Sequence, residues 1–300
     1  VGRFLLMGRL TMMFAPLAII VGLSAVASLL GFGLLRLAGD VLPLHKVISK
    51  LTLILLLLSI FPLRNMLRLS WAELGFTPAP RFFKQMGQGL LFAVLTLAPV
   101  LLLLYALDVH VWDSSRVWTP GKVLEKTALS LFLALLIGVG EEMLFRGLLL
   151  SALRRRLPLL AAMGVSAFYY AALHFLKSKT QIPHAEQTLG SGFRLMAEAF
   201  VNWLDPRYLT ALLALFVVGV FLAVLRTRVP QSLALCIGCH AGWVWQIKIS
   251  KDLCNVNLQS DYLYLVNTAY DGVVGPLVGV WLTIAVWAWL KIGQLPKPEN

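Results

Sequence analysis

Charge is what this chain has least of. Only 13% of its 300 residues are Asp, Glu, Lys or Arg, and acids are the scarcer sign, 14 against 26 bases. With 59% hydrophobic residues and a mean hydropathy of +0.81, there is too little polar surface to coat a soluble globule. Cysteine is nearly absent: Cys236 and Cys239 read as small helix-packing residues and Cys254 stands alone, so no structural disulfide is expected. Internal repeats, low-complexity tracts and flexible linkers are missing too. The longest polar connections, 177–207 and 250–271, are too short for further domains, which leaves one integral-membrane domain over 1–300. A cleavable leader is not expected either, because the first apolar run passes without a small-residue cleavage pattern into Gly33-Leu-Leu-Arg-Leu.

What the chain does have is long apolar runs. Eight stand out, at about 12–37, 47–63, 86–107, 128–153, 158–176, 208–226, 229–249 and 272–292, and they predict an all-α polytopic membrane protein of about eight transmembrane helices. The second is short and the seventh carries Cys236, Cys239, His240 and Gln246. The net charge of +12 is no nucleic-acid surface, since the bases gather at run ends: Arg3 and Arg9, Arg64 and Arg68, Arg154 to Arg156, Arg226 and Arg228, Lys291 and Lys297. Counted over short loops, they put the N-terminus, 64–85, 154–156, 226–230 and the C-terminus on one side. Both termini are then cytoplasmic, in a cell inner or plasma membrane. The opposite loops still hold Lys122, Lys126, Lys177, Lys179, Lys248 and Lys251. In the 177–207 connection, Phe193 to Leu204 has helical apolar spacing and predicts a helix lying at the interface, a surface anchor or a substrate guide.

The fourth run contains Leu136-Ile-Gly-Val-Gly-Glu-Glu-Met-Leu-Phe-Arg-Gly-Leu-Leu-Leu150. Each ionised side chain at mid-span costs roughly 2.5 to 3.5 kcal/mol on insertion scales, so Glu141, Glu142 and Arg146 need partners, water or a purpose. Glu142 and Arg146 are four apart on one helical face, acid first, the favourable order for an ion pair. Glu141 is turned about 100 degrees away and left to face another helix, where burial would move it toward a general base. Gly138 and Gly140 remove bulk one turn earlier, where a helix or a substrate backbone can approach. A packing ion pair with a polar-cavity acid is the bland alternative.

His174, in Phe168-Tyr-Tyr-Ala-Ala-Leu-His-Phe175, and His240, in Leu235-Cys-Ile-Gly-Cys-His-Ala-Gly-Trp243, place one histidine in each of two further runs. Alone, either would pass as a core residue. With Glu141 they supply a carboxylate and two imidazoles, enough to hold and deprotonate a water and steady an oxyanion.

Glu141-Glu142-x-x-x-Arg146, the aromatic-x-x-x-His of Tyr170 to His174, and His240 near the start of a late helix together resemble the CPBP (Abi) family of intramembrane proteases, which includes the CAAX prenyl endopeptidases. The likeness covers about 128–250 and makes that the catalytic core. It implies an intramembrane endopeptidase acting on a membrane-anchored or lipidated protein or peptide. Glu141 would be the general base, Glu142 and Arg146 its supports, and His174 and His240 the holders of water, metal or tetrahedral intermediate. Two positions depart from the family pattern: Val244 stands where an asparagine or aspartate is usual, and Tyr170 where phenylalanine is usual.

Glu141, His174 and His240 would also be the ligands if one zinc or other divalent ion is bound, although the helical His-Glu-x-x-His of many zinc proteases is absent; a metal-free, glutamate-driven route fits equally. Cys236-Ile-Gly-Cys239-His240 matches the c-type haem attachment pattern, but it lies inside an apolar run with no evident second axial ligand. Outside catalysis, the same polar cavity suits an immunity or scaffold protein that binds peptides. Transport ranks last, because no two-half symmetry or pair of broken helices is seen.

Overall fold

The computed structural model describes residues 2–39 and 42–292. Lys297, one of the bases used to place the C-terminus, lies outside them. In chain order the elements are α1 (Gly2–Ala38), α2 (Leu44–Met66), α3 (Trp71–Leu74), α4 (Ala79–Ala106), β1 (His110–Trp112), α5 (Pro120–Glu142), a π-helical turn (Met143–Leu149), α6 (Leu150–Arg154), α7 (Leu159–Leu173), α8 (Ser191–Val201), α9 (Leu209–Arg228), α10 (Leu233–Leu253), β2 (Cys254–Val256) and α11 (Pro276–Ile292).

Each of the eight apolar runs falls on a helix, and the protein is all-α apart from a small hairpin-like pair. Five helical stretches, 10–37, 44–66, 71–106, 120–154 and 206–228, are long and apolar enough to cross a bilayer. The other three runs differ for physical reasons. α7 and α11 are apolar but short, 15 and 17 residues, or about 22 and 26 Å at the helical rise. α10 has the length, 21 residues, but its second half carries Gln246, Lys248, Lys251 and Asp252.

The first half of α10 is the axis of the molecule: Leu233 through Trp243 are all buried. α4 packs on it backbone to backbone, since a Cβ at Gly89 would collide with the Leu235 carbonyl and one at Gly238 with that of Met86. α5 takes another side, where a Cβ at Gly138 would sit 3.1 Å from the Ile237 carbonyl oxygen. Gly140 instead admits Leu57 of α2. α9 lies behind, between α7 and α11, with Gly219 against Ala167.

Basic residues tie one end together. The short α3 starts with a capping box, Ser70 and Glu73 each bonding the other's backbone amide, and ends at Gly75 with φ +101°. Arg155 donates to the Leu67 and Arg68 carbonyls and pairs with Glu73, Arg226 donates to the Glu73 carbonyl, and Arg81 reaches the Pro230 carbonyl. The 64–85, 154–156 and 226–230 segments therefore meet at one end, as their charge predicted. At the other end, β1 pairs antiparallel with β2, Arg116 bonds Asp252 and Lys179 bonds the Tyr208 hydroxyl. The predicted interfacial helix is α8 followed by a 3-10 turn at 202–204. Gly192 presses on Ser28 of α1, and Phe193, Val201 and Leu204 face outward.

Candidate active site

The α5 helix does not simply continue past its glutamates. From Met143 the backbone widens into a π-helical turn, and the Leu150 amide bonds the Phe145 carbonyl five residues back. Such bulges gather at functional positions because they re-aim side chains without ending the helix. Ser166 of α7 donates to the same Phe145 carbonyl at 3.0 Å and locks the bulge against α7.

Glu142 and Arg146 are fully buried, both side chains at 0% exposure. Arg146 Nη1 donates to Glu142 Oε1 at 3.1 Å, the predicted ion pair, and Nη2 donates to the Gly219 carbonyl at 3.2 Å. The guanidinium lies 4.3 Å from the Tyr170 ring centroid, a cation–π contact that offsets part of its desolvation. Glu142 has a second partner that sequence spacing did not reveal: His240 Nδ1 is 2.8 Å from the same Oε1. With the carboxylate oxygen accepting, as it also does from Arg146, the ring nitrogen is the donor.

Glu141, on the adjacent face, has none of these partners. Its Oε2 is shielded from solvent and makes no hydrogen bond. It points at His240 Nε2, 3.8 Å away, and at His174 Nε2, 3.9 Å away. His174 closes α7, and its Nδ1 donates to the Tyr170 carbonyl at 2.8 Å, since a carbonyl can only accept. Both imidazoles are thus held by Nδ1 and present Nε2 to one unsatisfied carboxylate oxygen. The gaps are too long for direct hydrogen bonds and suit an intervening water. The donor types would also suit a divalent ion. Among the described residues, though, no group of three or more His, Cys, Asp and Glu side chains is arranged to hold one.

Two cavities reach this point. One of about 240 Å³ lies between α2, α5 and α7 and is lined by Glu141, His174, Ser49, Thr52 and Lys177. The other, about 230 Å³, lies between α4, α9, α10 and α11 and is lined by His174, His240, Val244, Lys248, Tyr270 and Asp271. Val244 stands one turn beyond His240 on that wall. Tyr270 and Asp271 were not foreseen from the sequence. Asp271 accepts from the Val273 and Val274 amides through Oδ1, and burial raises its carboxyl above the usual range. An acid in Tyr270-Asp271-Gly272 directly before the last apolar run was the available signal.

The haem-like motif resolves as packing. Cys236 and Cys239 are fully buried, Cys236 Sγ faces the Leu222 carbonyl at 3.4 Å, and Gly238 between them presses on α4, so no planar cofactor fits there.

Of the five predicted site residues, all converge: Glu142, Arg146 and His240 in a dry ion-pair layer, Glu141 and His174 beside it at the cavities. Residues 123–246, which contain all five, match the family model described as Rce1-like, type II CAAX prenyl endopeptidase. The match is consistent with the CPBP family of membrane proteases. No curated protein and no solved structure matches it. The matched segment includes the π-helical turn, all of α7 to α9 and the half of α10 that carries His240.

Proposed function

We propose that the protein is an intramembrane endopeptidase that hydrolyses a peptide bond in a membrane-anchored or lipidated substrate with a water activated by Glu141. The observation that carries this reading is Glu141 Oε2, buried without a hydrogen bond and facing the Nε2 atoms of His240 and His174 at 3.8 and 3.9 Å. Glu141 takes a proton from the water, whose oxygen attacks the scissile carbonyl carbon. His174, neutral and held at Nδ1, accepts the water's other hydrogen at Nε2 and aims it. His240, oriented by Glu142 through Nδ1, turns Nε2 toward the developing oxyanion and is the group placed to donate to it. Arg146 holds Glu142 in place. Collapse of the intermediate breaks the C–N bond, and Glu141 passes its proton to the leaving amine.

A zinc or other divalent ion, if one is used, would draw on Glu141, His174 and His240 only after they close together from the arrangement described, and would polarise the water and the carbonyl. The substrate meets the site from the 177/251 end, where both cavities lie. With the basic end and both termini cytoplasmic in a plasma or inner membrane, that entry is non-cytoplasmic. Single-cysteine labelling in 177–207 with a membrane-impermeant reagent tests the orientation. Labelling only from the cytoplasmic side overturns it.

One feature favours a second reading. Val244 replaces a polar group on the wall beside His240, as expected of an immunity or scaffold protein that binds peptide without cutting it. Comparing membrane proteomes of cells carrying wild type or Glu141→Ala separates the two: shifted protein termini support the peptidase, and a preserved phenotype with unshifted termini supports the binder.

A further inference from the structure

At the basic end of the molecule an open groove of about 840 Å³ runs between the first half of α4, the start of α10 and the end of α11. It shares no lining residue with the two cavities at the glutamates. Leu235, Phe92 and Trp289 give it apolar surface, the two rings meeting edge to face with centroids 5.2 Å apart. Arg81, Lys84 and Gln85 line it as well. At steps of three, four and eleven residues from Arg81, Lys84, Gln85 and Phe92 share one face of α4. No acid lines the groove. Among the described residues, exposed Lys84 has no hydrogen bond or ion pair, and exposed Arg81 has one long hydrogen bond, 3.4 Å to the Pro230 carbonyl. Gln85 is only 6% exposed, and its Oε1 is shielded from solvent without a hydrogen bond. A buried amide left unpaired costs stability unless a ligand supplies the donor.

We propose that this groove binds one anionic phospholipid with a hydroxylated headgroup, of the phosphatidylglycerol type. Arg81 and Lys84 hold the phosphodiester, the headgroup hydroxyl donates to Gln85 Oε1, and an acyl chain lies along Phe92, Leu235 and Trp289. Free bases at a helix end beside a tryptophan are the usual means of holding such a lipid at the membrane interface. A choline headgroup fits worse, because it brings its own cation to Arg81 and Lys84 and carries no hydroxyl. The groove wall is also the seam that places His240. A Cβ at Gly89 would collide with the Leu235 carbonyl and one at Gly238 with that of Met86, and His240 follows Leu235 by five residues on the same helix. A lipid in the groove braces the packing of α4 on α10 from outside.

The test uses the full chain purified in detergent, with the thermal denaturation midpoint titrated by dioctanoyl phosphatidylglycerol, dioctanoyl phosphatidylcholine or glycerol 3-phosphate. Phosphatidylglycerol is expected to raise the midpoint saturably, as a ligand of the folded state does, and the other two to leave it unmoved. Removing a base near a lipid surface costs about fivefold in affinity, so Arg81→Gln with Lys84→Gln should weaken phosphatidylglycerol binding about twenty-fivefold. Both positions are exposed, and the double variant is expected to keep the wild-type midpoint in detergent alone. Gln85→Leu should weaken binding about three- to tenfold while holding or raising the midpoint in detergent alone, which a glutamine with a purely structural role would not do. Equal shifts with phosphatidylglycerol and phosphatidylcholine overturn the proposal, as does phosphatidylglycerol affinity that the double variant retains. Protection by glycerol 3-phosphate equal to that by phosphatidylglycerol overturns the lipid assignment.

Discussion

Glu141 and Glu142 are consecutive in sequence and opposite in circumstance. Around Glu142 the structure is dry: a guanidinium and an imidazole both meet Oε1 of a carboxylate with no exposure, while its Oε2 is buried without a hydrogen bond. Around Glu141 it borders a cavity, and its Oε2, likewise buried without a hydrogen bond, faces two imidazole nitrogens. A buried charge pair is a weak source of net stability, because desolvation cancels most of the attraction, but breaking it is expensive. An unsatisfied oxygen, conversely, costs stability while it is kept. Each neighbour keeps one such oxygen, so the difference lies in the surroundings: an ion pair holds Glu142, and two imidazoles beside a cavity face Glu141.

That contrast can be broken in order of expected effect. Glu141→Ala should reduce peptide hydrolysis by about 10²- to 10⁴-fold, the range for a positioned general base, with no fall in thermal stability in detergent. Unchanged turnover on a defined peptide would remove Glu141 from the chemistry. Arg146→Ala should do the reverse first, destabilising the protein by about 3 to 5 kcal/mol because Glu142 is left buried against His240 alone. A denaturation midpoint equal to wild type would show that water reaches the pair. Gly238→Ala forces α10 off α4 and displaces His240 from Glu142. An overpacking cost of about 1 to 3 kcal/mol is expected, with activity falling more steeply than stability. Val244→Asn places a donor one turn from His240 and should raise kcat up to about tenfold, as one added hydrogen bond of 1.4 kcal/mol allows. No gain, with peptide binding retained, would favour the non-catalytic reading. Metal content of the purified protein and turnover after chelation separate a glutamate-driven site from a metal-assisted one: stoichiometric metal lost together with activity indicates the latter.

Much of the site was legible because membrane burial makes polar residues conspicuous. Glu141, Glu142, Arg146, His174 and His240 are rare charges and imidazoles in apolar runs, and the i, i+4 spacing of Glu142 and Arg146 gave their pairing directly. The link between Glu142 and His240 was not legible, since 98 residues separate them and only the approach of α10 to α5 across Gly138 brings them together. The π-helical turn left no mark either, as its residues have ordinary helical propensities and the widening is imposed by Ser166 and neighbouring helices. Tyr270 and Asp271 sit in a connection whose side chains turn inward only because α11 begins there.

By itself, then, the sequence determined an all-α membrane protein, the helices that compose it, the clustering of its basic ends and the residue types of its site. These follow from local quantities: transfer free energy along each run, helical period and charge at run ends. The tertiary structure alone decided which imidazole is backed by a carboxylate, which glutamate faces both imidazole Nε2 atoms beside a cavity, and that Lys248 and Lys251 continue the wall beyond His240. Those depend on distances of a few ångströms between helices far apart in the chain, and close helix packing fixes such distances where local pattern cannot.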